Sequence, residues 1–187
     1  MMGNVSIDLS LPALWHCWQR FIRGKKHTTG LEHFRFHLEK NLTELSSELQ
    51  SKAYKHGGYR SFSVSDTKRR DIAVASIKDR FVHRLLYEHL VKIYDRTFID
   101  DVWSCREGKG LLGAIERAQD FLAKNPNGFF WRGDVRKFFD SVDHETLLHI
   151  LGRRINDDVT MRLLKTVIDS YNTNVGVGSA EREREYF

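Results

Sequence analysis

Cysteine is almost absent: Cys17 and Cys105 are the only two in 187 residues, far apart and without metal-ligand spacing. Neither a disulfide framework nor a zinc site is expected from them, and a reducing compartment is the natural setting. Long apolar runs are missing too. Nothing approaches the roughly 20 residues that a membrane-spanning helix needs, and the N-terminus lacks a basic segment followed by an apolar one. A soluble, cytoplasmic protein with no membrane partner is the expectation. Internal repeats and low-complexity linkers are also absent. What remains is ordinary for a folded chain, with 41% hydrophobic and 29% charged residues, so a core can form and disorder is not the default. Thirty Lys and Arg against 25 Asp and Glu leave a net charge of +5, which favours a polyanionic partner without identifying one.

Periodicity supplies the element order. Pro12 stands where a first helical residue often does, with Leu14, Trp15, Trp18, Phe21 and Ile22 at helical spacing and Gly24 as a stop. Leu31, Phe34, Leu38, Leu42, Leu45 and Leu49 predict one second helix. After Gly57-Gly58 come two short strands, Tyr59 to Val64 and Asp71 to Ala75, joined by the polar turn 65–69. A long helix from about Lys78 to Tyr94 carries Val82, Leu85, Leu86, Leu90 and Ile93 on one face. An irregular stretch to Gly110 precedes a helix from Leu111 to Ala123 and a turn at Asn125-Pro126-Asn127-Gly128. Phe129 to Trp131 reads as a strand, followed by helices at about His144–Arg154 and Asp157–Tyr171. The order predicts an α+β fold.

The stretch FFWRGDVRKFFDSVDHE carries the chemistry. Gly133 would let the backbone pass close to something, and Asp134 would project at the end of the strand, flanked by Arg132, Arg136 and Lys137. A carboxylate among cations suits a divalent metal that also holds phosphate oxygens. The alternative is a strand-ending Asp134 and a turn-capping Asp140. Asp143 precedes Leu147, Leu148 and Leu151 as a helix N-cap should. Two carboxylates, Asp134 and Asp140, also allow a Mg²⁺-dependent phosphohydrolase, but no base or nucleophile stands at a recognisable spacing.

The block GDVRKFFDSVDHETLLHIL resembles the first catalytic motif of bacterial reverse transcriptases of the group II intron and retroelement kind. Upstream segments are similar to the family's fingers motifs, in its order: Lys68 to Ile72, Lys78 to Val82, Tyr94 to Phe98, and Trp103-Ser-Cys-Arg-Glu-Gly-Lys-Gly110. The likeness runs from about Tyr54 to Tyr171. It implies an incomplete right-hand polymerase: a helical N-terminal region over 1–56, fingers over 57–126, and the start of a palm over 127–187, truncated before the second catalytic motif.

On that resemblance Asp134 is a catalytic carboxylate for Mg²⁺ and Val135 gives its carbonyl to the metal. Phe139 stands beside the sugar and favours deoxynucleotides, although it is equally a core aromatic beside Phe138 when read without the resemblance. Lys68 and Arg70 match residues that grip the triphosphate. Arg80, Arg106 and Lys109 are nucleic-acid contacts, Arg80 being alternatively paired with an internal carboxylate. The partners implied are an RNA template, a DNA primer and deoxynucleoside triphosphates. The family's Tyr-x-Asp-Asp hairpin would follow Tyr171, where this sequence reads NTNVGVGSAEREREYF. The chain alone is therefore not expected to polymerise DNA, and a non-catalytic RNA-binding module derived from such an enzyme is the alternative.

Three short patterns are weighed as decoys. Gly108-Lys-Gly110-Leu-Leu-Gly113 fits G-x-G-x-x-G but follows no strand, so a dinucleotide fold is not expected. His33 and His37, one turn apart, lack a third ligand. Phe98-Ile99-Asp100-Asp101 looks similar to the Tyr-x-Asp-Asp hairpin but precedes the first motif instead of following it.

Overall fold

The computed structural model describes residues 6–65, 69–136 and 138–171; Lys68, Lys137 and the polar tail from residue 172 lie outside them. The fold is α+β, with helices and a single antiparallel hairpin among the described residues. The chain forms two units, one from the described residues up to Glu88 together with those from Asp143, the other from His89 to Val142. None of the described helices is long and apolar enough to cross a membrane.

In the first unit, helix α1 (Leu11–Phe21) begins where Ser10 accepts a hydrogen bond from the Ala13 amide, with Pro12 in its first turn. Gly24 ends the segment in the left-handed region at φ +70°. The expected single helix over the next stripe is instead two, α2 (Thr29–Phe36) and α3 (Leu38–Gln50), divided at His37. The break has a local cause. The Asn41 side-chain amide donates to the Phe34 carbonyl at 2.9 Å, satisfying a group that a continuous helix would have used itself. Leu42, Leu45 and Leu49 still face one core with Leu14 and Trp18. Trp18 stacks on Phe34 at 5.1 Å and meets Phe81 edge-on at 5.7 Å, and Phe21 meets Phe81 at 5.6 Å. Cys17 is buried there, its thiol pushed up to about 12 by burial, which makes it a packing residue rather than a nucleophile.

The hairpin pairs β1 (Tyr59–Ser65) with β2 (Arg69–Ala75), placing Tyr59 opposite Ala75 and Ser65 opposite Arg69. Helix α4 (Ile77–Tyr94) follows at once and buries Phe81, Val82, Leu85 and Leu86. After the second unit the chain returns with α7 (His144–Gly152) and α8 (Asp158–Ser170), which pack on each other. Both begin as the sequence predicts. Asp143 accepts from the Thr146 amide at 2.7 Å and Asp157 from the Thr160 amide at 2.8 Å, each cap worth about 1 kcal/mol.

The second unit contains α5 (Leu111–Lys124) and the short α6 (Phe138–Ser141). Residues 129–131 do not form the expected strand. A strand is completed by its neighbours' backbone groups, and none of the described segments pairs with this one. Phe129, Phe130 and Trp131 are 105%, 82% and 89% exposed.

Candidate functional site

The chemistry-bearing residues fall in two places. Asp134, Val135, Phe139, Arg106 and Lys109 belong to the unit His89–Val142, whereas Arg70 and Arg80 belong to the other.

Arg106 organises the loop between α4 and α5. Its guanidinium donates through Nε to Asp95 Oδ1 at 2.8 Å and through Nη2 to Asp95 Oδ2 at 3.3 Å and to the Asp95 carbonyl at 3.2 Å. Nη1 donates to the carbonyls of Ile99 at 3.1 Å and Val102 at 3.4 Å. A planar five-donor fork is needed to satisfy so many acceptors at once. Its hydrogen bonds hold the Asp95 carboxyl below the usual carboxylate range. Cys105 is left-handed at φ +57° and Gly108 at φ +71°, so the chain turns twice in four residues around this anchor.

Lys109 ion-pairs with Asp100 at 2.8 Å, donates to the Asp100 carbonyl, and lies 4.5 Å from the centre of the Trp103 ring. Arg117, on α5, pairs with both oxygens of Asp101 at 2.7 and 3.2 Å. Thus Asp100 and Asp101, the acidic pair of the decoy tetrapeptide, each have a cationic partner, Lys109 in the loop and Arg117 on α5. Gly113 is the third glycine of the G-x-G-x-x-G pattern, and its place is steric. A Cβ there would come 2.7 Å from the Trp103 ring. Arg106 and Lys109, expected at nucleic acid, are in this structure the cations that fix the loop.

Asp134 and Val135 lie on an exposed stretch outside any helix or strand, with Phe139 in α6 also exposed, at 84%. The two oxygen donors are of the kind Mg²⁺ takes. They are too few to hold the ion alone, and the described residues contain no group of three or more His, Cys, Asp or Glu able to do so. The rings of His33 and His37 meet edge-on at 5.2 Å.

In the other unit, Arg70 stands exposed on β2 opposite Val64, close to the hairpin turn. Arg80, on α4, forms no ion pair with any described carboxylate, so its internal-pair reading finds no partner there. Its neighbour Asp79 is the buried acid. Only 2% exposed, Asp79 accepts from the Tyr54 hydroxyl at 2.7 Å, the Ser76 hydroxyl at 2.7 Å and the Gly57 amide at 3.2 Å. Burial raises its pKa, but these hydrogen bonds outweigh it and leave the carboxyl below its ordinary value. A Cβ at Gly57 would sit 2.9 Å from Asp79 Oδ2, so the glycine permits the close approach.

Beside it His56 and His83 stack at 5.1 Å, their Nε2 atoms 2.9 Å apart. His56 Nδ1 donates to the Gly57 carbonyl, which leaves its Nε2 to accept from His83. The Tyr59 hydroxyl reaches Ser170 at 3.0 Å. Sequence reading missed this latch of Tyr54, Gly57, Ser76 and Asp79. Its only visible signal was the Gly57-Gly58 pair, which reads equally as a helix stop.

No family model matches the sequence. Three curated proteins are similar over part of it. Protein YkfC of Escherichia coli is 26% identical over 122 residues, covering 64% of this chain and 32% of that protein. An uncharacterized 91 kDa protein in the cob intron of Schizosaccharomyces pombe is 25% identical over 104 residues, 54% of this chain and 12% of the relative. A putative COX1/OXI3 intron 2 protein of Saccharomyces cerevisiae is 23% identical over 147 residues, 73% and 17% respectively. The chain therefore spans a third or less of each relative it matches, and two of the three are named as intron proteins.

Proposed function

We propose that this chain is the N-terminal part of an RNA-directed DNA polymerase, contributing fingers and the first segment of a palm. The observation that carries the reading is the ordered run of motifs from Lys68 to Leu151, together with similarity to two intron proteins. An intron setting is where a group II intron-type polymerase belongs.

In this reading Asp134 and the Val135 carbonyl are oxygen ligands toward Mg²⁺, which supplies charge neutralisation for phosphoryl transfer when bound. Phe139 stands where a ring would exclude a 2′-hydroxyl. Arg70 and Lys68 offer a fork and a point charge for a triphosphate. Arg80 faces the nucleic acid with its charge unshared by any described carboxylate. Arg106 and Lys109 act at one remove, holding the loop whose backbone approaches the template. The domains follow: helices over 1–56, fingers over 57–126 and the start of a palm from 127.

The test is Mg²⁺-dependent primer extension on an RNA template by the native polypeptide that carries this sequence. Asp134→Ala is expected to lower the rate at least about a hundredfold, as loss of a metal-held carboxylate does. Extension at an unchanged rate would sink the assignment. A second reading, a non-catalytic RNA-binding module, is favoured because the described residues contain no group of three or more His, Cys, Asp or Glu able to hold a metal. It predicts salt-sensitive RNA binding that survives Asp134→Ala and needs no metal.

A further inference from the structure

Helix α4 holds the stretch 54–59 through Asp79 and His83, one turn apart on the same face. Asp79 takes Tyr54 and Gly57, and His83 takes His56 through the 2.9 Å contact between their Nε2 atoms. The Tyr59 hydroxyl stands 3.5 Å from the same His56 nitrogen. Two imidazole nitrogens and a phenol oxygen therefore meet around His56 Nε2. All belong to the unit that runs up to Glu88 and resumes at Asp143. His56, Tyr59 and His83 are each half-buried, which leaves the group reachable from solvent.

Two further observations concern what this group of donors could hold. The first is charge. Asp79 is a buried carboxylate whose donors are all neutral, two hydroxyls and an amide, whereas a buried charge is normally paired with a counter-charge or a metal. The second is the orientation of His56. Its Nδ1 donates to the Gly57 carbonyl at 2.5 Å, which fixes the tautomer and leaves the Nε2 lone pair facing His83 and Tyr59. A backbone carbonyl on the far ring nitrogen is how metal-bound histidines are held in place.

We propose that His56 Nε2, His83 Nε2 and the Tyr59 hydroxyl bind one divalent cation of the imidazole-seeking kind, represented by Zn²⁺, with water as the fourth ligand. The donors decide the class, since imidazole suits zinc and its neighbours while Mg²⁺ takes oxygen. Tetrahedral zinc, with Zn–N of about 2.0–2.1 Å, places its ligand atoms roughly 3.3 Å apart. The distances of 2.9 and 3.5 Å around His56 lie on either side of that spacing. A swing of the His83 ring, with its proton moved from Nε2 to Nδ1, exchanges the shared hydrogen bond for the metal. The third protein donor is a phenol, so the site agrees with the lack of any group of three His, Cys, Asp or Glu among the described residues. The bound cation ties the stretch 54–59 to α4 at a second point and sets positive charge beside Asp79. It is separate from the Mg²⁺ reading at Asp134, which rests on oxygen donors in the other unit.

The experiment is calorimetric titration of the chelator-treated chain with Zn²⁺ at neutral pH in excess Mg²⁺, with circular dichroism confirming that each variant keeps its helices. The wild-type chain is expected to bind Zn²⁺ at a site whose affinity falls at least about tenfold in His56→Gln and in His83→Gln, as loss of a ligand requires. Tyr59→Phe, which keeps the ring, weakens it less, and His33→Gln leaves it unchanged. Imidazole ¹⁵N spectra of the wild-type chain identify the ligands without any substitution, through zinc-dependent shifts of Nε2 in both His56 and His83. A wild-type chain that takes up no zinc overturns the proposal. So does uptake that shifts neither nitrogen, uptake that both His→Gln variants retain in full, or displacement of the zinc by Mg²⁺. Neither Asp134 nor primer extension enters these measurements, so failure here and failure of the polymerase assignment remain distinguishable.

Discussion

Asp79 is held by three donors from two stretches of chain, Tyr54 and Gly57 in one loop and Ser76 beside α4, and its folded carboxyl titrates below its ordinary value. Asp79→Asn keeps the shape but turns an amide N–H₂ toward donors, which is expected to cost about 2–3 kcal/mol at neutral pH. Because the folded pKa is depressed, that advantage is complete above the ordinary carboxylate range and is lost as pH falls through the folded value. Urea unfolding of both proteins across acid pH should show the two curves converging; a constant gap would mean the carboxylate charge is not involved. His83 acts in a higher window. Burial first, then His56 and Arg80, lower its pKa, while Asp79 opposes them. The unfolded chain binds this proton first, so wild-type stability should begin to decline below about pH 6.5. His83→Gln should flatten that part of the profile.

At the scale of elements, Gly113 sets two effects against each other. Alanine in a helix is favoured over glycine by about 1 kcal/mol. Yet a Cβ here meets the Trp103 ring at 2.7 Å, and overpacking costs about 1–3 kcal/mol. Gly113→Ala is expected to weaken α5, read as faster hydrogen exchange of its amides. Made in a Trp103→Ala background, the same change should strengthen it, and the sign reversal is the coupling that a double-mutant cycle measures. The same element shows what sequence reveals. The starts of α1, α7 and α8 were legible because their signals, Pro12, Asp143 and Asp157, lie at the first turn of each helix. The division of α2 from α3 was not, since Asn41 reaches seven residues back to Phe34, and apolar spacing carries no trace of that bond. Strand formation at 129–131 was misjudged for a related reason: composition sets the propensity, and a partner elsewhere decides the outcome. In the candidate site, Asp134 was visible as a carboxylate among cations. The pairing of Arg106 with Asp95 and of Arg117 with Asp101 joins residues 11 and 16 apart, which no local pattern specifies.

The two units differ in what holds them together. Every apolar side chain buried among the described residues belongs to the unit built from the ends of the described chain. The unit His89–Val142 buries no apolar side chain among its described residues and carries partly exposed ion pairs around Arg106, Lys109 and Arg117. Apolar burial is insensitive to moderate salt, whereas partly exposed pairs are screened in part by salt, whose Debye length is about 3 Å at 1 M. Native-state hydrogen exchange should therefore find amides near Leu45 and Leu85 protected close to the global limit. Those in Leu111–Lys124 should open at least about tenfold more readily, a difference near 1.4 kcal/mol. Molar sodium chloride should widen the gap by accelerating only the second set. Equal protection in both sets, or equal response to salt, would mean the units unfold as one. The expected asymmetry has a functional reading, because the exposed aromatics and Asp134 lie in the less stable unit.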